Sequence, residues 1–152
     1  MAEGIFRKEL PEAYRDRIAV VSAGTGAFDG SPPARFAIEV CAENGIDISG
    51  HRSRALREHH LRRADIVFVM EKEHLKFIHE LFPQFQENVF LLKHFDRDKK
   101  KWGRSDIPDP IGRDKDFYRK VFAELQTEIR RILPRLLQLA EAEFARKNGT
   151  GE

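Results

Sequence analysis

Cysteine is almost absent from this chain: Cys41 is the single thiol in 152 residues. One thiol excludes an internal disulfide and fits a reducing, cytoplasmic setting. Long apolar runs are missing too, so no stretch reads as a membrane helix. Met1-Ala2-Glu3-Gly4 brings in an acid where a secretory signal needs an apolar core. A surplus of one charge is lacking: 27 Lys and Arg against 25 Asp and Glu leave a net +2, too near neutral to argue for nucleic acid. The six histidines are badly spaced for a metal. His59 and His60 are adjacent and face different ways on a helix, while His74 and His79 are five apart. No metal and no other cofactor is therefore expected. A complete Gly-rich nucleotide loop, a Ser-based elbow, internal repeats and low-complexity segments are likewise absent.

What remains is a globular composition, 41% hydrophobic and 34% charged, with enough apolar mass to bury one core. A single domain over residues 1–147 is expected, with 148–152 as a disordered tail. Ala2 to Leu10 reads as a helix with Ala2, Ile5, Phe6 and Leu10 on one face and Glu3, Arg7 and Lys8 opposite. No Ser, Thr, Asp or Asn precedes it to cap its free amides, so the helix looks cut rather than begun. Ile18 to Ser22 has strand length and β-branched residues, and ends at Ala23-Gly24-Thr25-Gly26. The loop that follows sits where α/β proteins place ligands. Phe28 on it is either a core plug or a ligand wall.

Pro33 to Asn44 reads as a helix with Gly45 as its C-cap; Cys41 falls in the apolar stripe, as a small buried hydrophobe does. Ser49 or Ser53 is expected to cap a helix running to about Arg63. Ile66 to Met70 and Val89 to Leu92 are continuous apolar strands, suited to a parallel sheet covered on both faces. Between them, a helix from Lys72 to Leu81 is stopped by Pro83. Lys99-Lys100-Lys101-Trp102, a basic cluster beside a Trp, can contact acidic partners, but a solvated loop is the commoner explanation. From Lys115 to about Lys147 the spacing of Phe117, Tyr118, Val121, Phe122, Leu125, Ile129 and Ile132 predicts a long helix, kinked or interrupted at Pro134. Its stripe beyond Pro134 is expected to cover exposed core or meet a second copy in a homodimer. The alternation gives an α/β layered fold with a small parallel sheet flanked by helices.

One loop stands apart. In Asp106-Ile107-Pro108-Asp109-Pro110-Ile111-Gly112 the prolines fix their own φ and push Ile107 and Asp109 toward extended backbone. Asp109 is thus an acid on a stiff turn: a general acid, or a turn residue ahead of the next helix.

Four blocks in order carry a resemblance: Met1-Ala2-Glu3-Gly4-Ile5-Phe6-Arg7, Ser22-Ala23-Gly24-Thr25-Gly26, Gly45 through Arg54, and Asp109-Pro110. Together they look like the low-molecular-weight protein tyrosine phosphatase family, from Met1 to roughly Leu136. The resemblance implies a first strand and a Cys-x5-Arg-Ser-Pro phosphate loop ahead of the Met-Ala-Glu helix. Its thiolate attacks phosphorus, and the loop amides and Arg hold the phosphoryl oxygens. It further implies that Asp109 is the general acid, that Phe28 and Ile111 resemble pocket-wall residues, and that Ser22 and His51 resemble groups bracing the phosphate loop. The implied partner is a phosphorylated protein or a small phosphomonoester.

These residues depart from the pattern in one fundamental way. The Cys-x5-Arg loop and the N-terminal strand do not occur in them, and Cys41 is no substitute, because Asp47 stands where the Arg would be. Two expectations follow. Either the chain is a phosphatase begun at an internal Met or cut short, or it is a noncatalytic relative that binds a protein partner. An aromatic residue does not follow Asp109-Pro110, which resembles the arginine-directed members more than the tyrosine-directed ones; the substrate stays open.

Overall fold

The computed structural model describes residues 1–149. Its architecture grows from two short parallel strands, β1 (Val67–Val69) and β2 (Val89–Leu91). Val67 pairs with Val89, Phe68 with Phe90 and Val69 with Leu91. Because successive side chains leave a strand on opposite sides, the apolar runs feed two separate cores. Val67, Val69, Val89 and Leu91 pack with Leu61, Leu75 and Ile78. Phe68, Met70 and Leu92 join Ile5, Phe6, Val40, Ile129 and Ile132 in the other core. The first is roofed by α3 (Glu58–Arg63) and α4 (Lys72–Leu81), the second by α1 (Ala2–Glu9), α2 (Arg35–Glu43) and α5 (Lys115–Gly149). Three layers result, and the α/β fold with a small parallel sheet is the one the alternation implied.

The helix ends follow local chemistry. Gly45, at φ +71°, closes α2: its N–H donates to the Ala42 carbonyl at 3.0 Å and the Ile46 N–H to the Cys41 carbonyl at 2.9 Å. Asp114 caps α5 by accepting the Phe117 N–H at 2.8 Å. Gly4 lets α1 lie close to the segment after α2, since a Cβ there would fall 2.8 Å from Ile46 Cγ2 and 3.0 Å from Ile48 Cγ2. Cys41 is wholly buried, as its place in the stripe implied.

Three expectations need correction. Ile18 to Ser22 is not a strand; no ladder runs along it, and Val21 is 59% exposed. β propensity needs a hydrogen-bonded neighbour to act on, and the Val20 carbonyl is taken instead by the Arg7 guanidinium at 2.8 Å. The helix expected from Ser49 or Ser53 begins only at Glu58. Residues 53–56 are drawn away by backbone bonds to Gly24, Gly30 and Ser31. Finally, α5 is not interrupted at Pro134; it spans Lys115–Gly149, against an expected end at about Lys147. The rest of the expected tail, residues 150–152, lies outside the described residues.

Polar contacts tie the layers. Arg131 of α5 donates to the Leu92 carbonyl at 3.0 Å and the Phe95 carbonyl at 2.7 Å, just past β2, and pairs with buried Glu128 at 2.7 Å. Arg97 reaches the same carboxylate at 3.2 Å. Glu43 of α2 accepts from Lys115 and Arg119 of α5, each at 2.8 Å. The Arg119 hydrogen bond first, then that of Lys115, hold the Glu43 carboxyl down to about 2.

Gly4→Ala should lose about 1–2 kcal/mol in urea unfolding, because the overlap with Ile46 and Ile48 exceeds the roughly 1 kcal/mol that Ala gains in a helix. Arg131→Met should lose about 2–4 kcal/mol in the same assay, leaving two carbonyls and part of the Glu128 charge unanswered. The Glu43 carboxyl is depressed in the folded state, so its stabilisation is full above the unfolded value near 4.5 and is lost as pH falls toward about 2. Glu43→Gln should therefore lower the urea midpoint at pH 7 and lose less than the unsubstituted chain between pH 5 and pH 2.

Candidate functional site

The Asp109 loop is held at its base. The Ile107 side chain is buried, and its N–H donates to the Met70 carbonyl at 2.9 Å, immediately after β1. Asp106 accepts the Lys72 N–H at 2.9 Å, so it caps α4 from another part of the chain. Beyond these anchors Asp109 stands exposed and folds back on itself: its Oδ1 accepts the Ile111 N–H at 2.9 Å, and the turn closes through Gly112 at φ +74°. Burial first, and the Asp109 charge second, push the Tyr118 hydroxyl above its ordinary value. A depression of about 650 Å³ lies alongside, lined by Glu71, Lys72, Arg104, Ser105, Asp106 and Asp109. Ile111, at 66% exposure, projects next to the acid. Asp109 is thus a solvent-reaching carboxyl on a fixed loop, able to give a proton to an approaching group or take one from water.

Ser22 and His51 come together elsewhere, on Glu3 in the first turn of α1. The Ser22 hydroxyl donates to Glu3 Oε2 at 2.6 Å, and His51 Nδ1 lies 3.9 Å from the same oxygen. Arg7 holds the other oxygen at 2.9 Å. Glu3 is itself only 12% exposed, so the first turn of α1 carries a carboxylate braced from three sides. Sequence reasoning placed Glu3 on the solvated face and missed it. A capping-type acid in the first turn of an uncapped helix was the available signal.

Phe28 is 84% exposed, which removes the reading of it as a core plug. Its loop is fixed all the same. The Ser53 hydroxyl donates to the Phe28 carbonyl and accepts the Ser31 N–H, the latter at 3.0 Å. Asp29 accepts the Ala55 N–H at 2.8 Å and pairs with Arg57 at 2.5 Å. Arg57 first, then the Ala55 N–H, bring the Asp29 carboxyl down to about 2. The Phe28 loop is therefore fixed by residues 53–57, which begin two positions after His51. Among the described contacts no hydrogen bond or ion pair joins Asp109 to Phe28, Ser22 or His51.

Cys41 takes no part, since burial pushes its thiol up and no solvent reaches it. Among the described residues no group of three or more His, Cys, Asp or Glu is placed to hold a metal ion. No helix among them is long and apolar enough to cross a membrane.

Comparison with known proteins finds similarity along the chain to phosphatases. The chain is 32% identical over 139 residues to the probable low molecular weight protein-tyrosine-phosphatase EpsP of Ralstonia solanacearum, covering 91% of this chain and 88% of that protein. The low molecular weight protein tyrosine phosphatase of T. tengcongensis superposes with a TM-score of 0.78 at 33% identity, covering 88% of each chain. The YwlE arginine phosphatase of Geobacillus stearothermophilus does so with a TM-score of 0.77 at 35% identity, over 93% of this chain and 86% of that one. With the profile of low molecular weight phosphotyrosine protein phosphatase matching residues 1–144, the chain belongs to that family.

Proposed function

We propose that this chain carries the proton-transfer and substrate-wall half of a protein phosphatase site, with Asp109 as the general acid. The observation behind the proposal is the Asp109 loop: an exposed carboxyl on a proline-flanked turn, anchored to the end of β1 and the start of α4. A structural turn acid does not need two such anchors or an open depression beside it. In the reaction, a thiolate attacks phosphorus and the bond from phosphorus to the leaving atom, the oxygen of a tyrosine or the nitrogen of an arginine, breaks, while Asp109 gives that atom its proton. Water then attacks the phosphocysteine, Asp109 takes a proton from it, the sulfur–phosphorus bond breaks, and phosphate leaves with the thiolate regenerated. Phe28 and Ile111, both exposed apolar side chains, would flank the phosphorylated side chain. Ser22 and His51 would steady the first turn of α1 through Glu3, where backbone amides and the helix dipole favour a phosphoryl group. The substrate class is a phosphorylated protein side chain, and likeness to both tyrosine- and arginine-directed relatives supports either residue.

Residues 1–152 contain no thiol able to attack, because Cys41 is sealed in the core. Alone they should be catalytically silent, and a protein-binding role without catalysis is the second reading that this observation favours. The nucleophile of the first reading would come from a Cys-x5-Arg-Ser-Pro segment joined ahead of Met1.

The 152-residue chain should release no phosphate from para-nitrophenyl phosphate above background. Measurable release that falls on Asp109→Asn would overturn the inactivity. A version extended at Met1 with a strand and the Cys-x5-Arg-Ser-Pro loop should hydrolyse the ester, and Asp109→Asn in it should lower kcat by about 10²–10⁴-fold. If Asp109→Asn leaves that rate unchanged, the assignment of the acid fails.

A further inference from the structure

The chain is nearly neutral, yet residues 51–63 are not. They hold Arg52, Arg54, Arg57, Arg62 and Arg63 against one acid, Glu58. Two of these arginines are answered: Arg57 pairs with Asp29, and Arg62 with Glu58. Arg52 donates to the backbone carbonyls of Ser49 and His51, at 3.0 and 2.7 Å, and so keeps its charge uncompensated. Among the described residues Arg54 and Arg63 meet no carboxylate in an ion pair or hydrogen bond. The field is felt locally: burial first, then the electrostatic influence of neighbouring His59, Arg57 and Arg54, holds the His60 imidazole below its ordinary value.

Position gives this charge a use. Ser53, between Arg52 and Arg54, is the residue whose hydroxyl donates to the Phe28 carbonyl. Gly24 donates its N–H to the Arg54 carbonyl at 2.9 Å, and Ser53 donates to the Ser31 carbonyl at 2.9 Å. Arg54, and Ser53 next to Arg52, are therefore fastened by main-chain bonds to the loop that presents Phe28.

From this juxtaposition we infer that Arg52 and Arg54, beside Phe28, form a docking surface for acidic residues flanking the modified side chain of a protein substrate. The inference rests on the phosphatase reading only in taking a modified side chain as the target; the surface itself is independent of catalysis. Arg52 and Arg54 lie two positions apart, which in extended backbone is about 7 Å. Acids at alternate positions of an extended peptide have the same spacing, and guanidinium groups bind carboxylates with two parallel bonds. A nucleic acid is a poorer match. Tight binding of one commonly engages about 6–10 phosphates, whereas three arginines without a carboxylate partner, Arg54 among them half-buried, and the exposed Phe28 stand here.

The test uses the 152-residue chain and fluorescence anisotropy. The probes are a labelled unphosphorylated peptide with Glu at alternate positions around a central Tyr, and its Gln counterpart. The Glu peptide should bind about five- to tenfold more tightly at low salt, as two surface ion pairs allow, one of them at half-buried Arg54, and the difference should shrink at high ionic strength. Arg52→Gln should remove part of the difference and Arg52→Gln with Arg54→Gln most of it, while Lys120→Gln on α5 leaves it intact. Equal binding of the two peptides, no loss on Arg52→Gln, or an equal loss on Lys120→Gln would overturn the inference. So would tighter binding of a single-stranded oligonucleotide than of the Glu peptide. The salt series needs no substitution, so a poorly folding double variant does not decide the matter. Since the peptides carry no phosphate, failure here leaves the Asp109 result standing, and failure of Asp109 leaves this one standing.

Discussion

Arg131 is the joint on which the layers depend. It reaches from α5 to the Leu92 and Phe95 carbonyls, where the chain has just left β2, and its charge is answered by Glu128 one turn away. A sheet of two short strands offers little hydrogen bonding of its own. Its position must then be set from outside, and a planar guanidinium with five donors can fix two carbonyls and a carboxylate at once. Burial of Ile129 and Ile132 on the same helix supplies the apolar part of the contact, and Arg131 supplies its direction.

What this fixed frame presents is two loop systems with different supports. The Asp109 loop hangs from β1 and α4. The Phe28 loop hangs from residues 53–57 and, through Arg57, from the start of α3. Each support is chiefly backbone-to-backbone or backbone-to-carboxylate bonding, which tolerates little displacement. The tips are left free to meet a ligand, in keeping with functional residues on loops over a rigid scaffold.

Much of the fold was legible because its elements are locally consistent. Lys72 to Leu81 is bounded by Pro83, and Ile66 to Met70 is an apolar run too short for a helix; both formed within a residue or so of expectation. Gly45 closed α2 because only a residue at ease with positive φ suits that place. Ile18 to Ser22 defeated the same reasoning, since its propensity has no ladder to join. Residues 53–56 did so because bonds to a loop two dozen residues earlier outweigh the capping preference of a serine. The stiffness of the Asp109 loop could be read from Pro108 and Pro110, but its anchoring by Asp106 could not. Glu3 was hidden for a related reason: a carboxylate on the polar face of a helix looks solvated until Ser22, His51 and Arg7 are brought to it by the fold.

Pro134 marks a change of character along α5. Tyr118, Val121, Phe122, Leu125, Ile129 and Ile132 are all buried, and among the described residues none after Ile132 is. Beyond that point the helix is clasped mainly at the surface, by Arg17, which pairs with Glu141 at 3.1 Å and lies 4.2 Å above the Phe144 ring. Pro134 also brings no N–H to the carbonyl one turn back, so cooperativity is weakened where the core ends. The last turns are in consequence a separate unit of local stability. Their amides would exchange with solvent without the sheet opening, and changes there would reach the loops of the site only weakly.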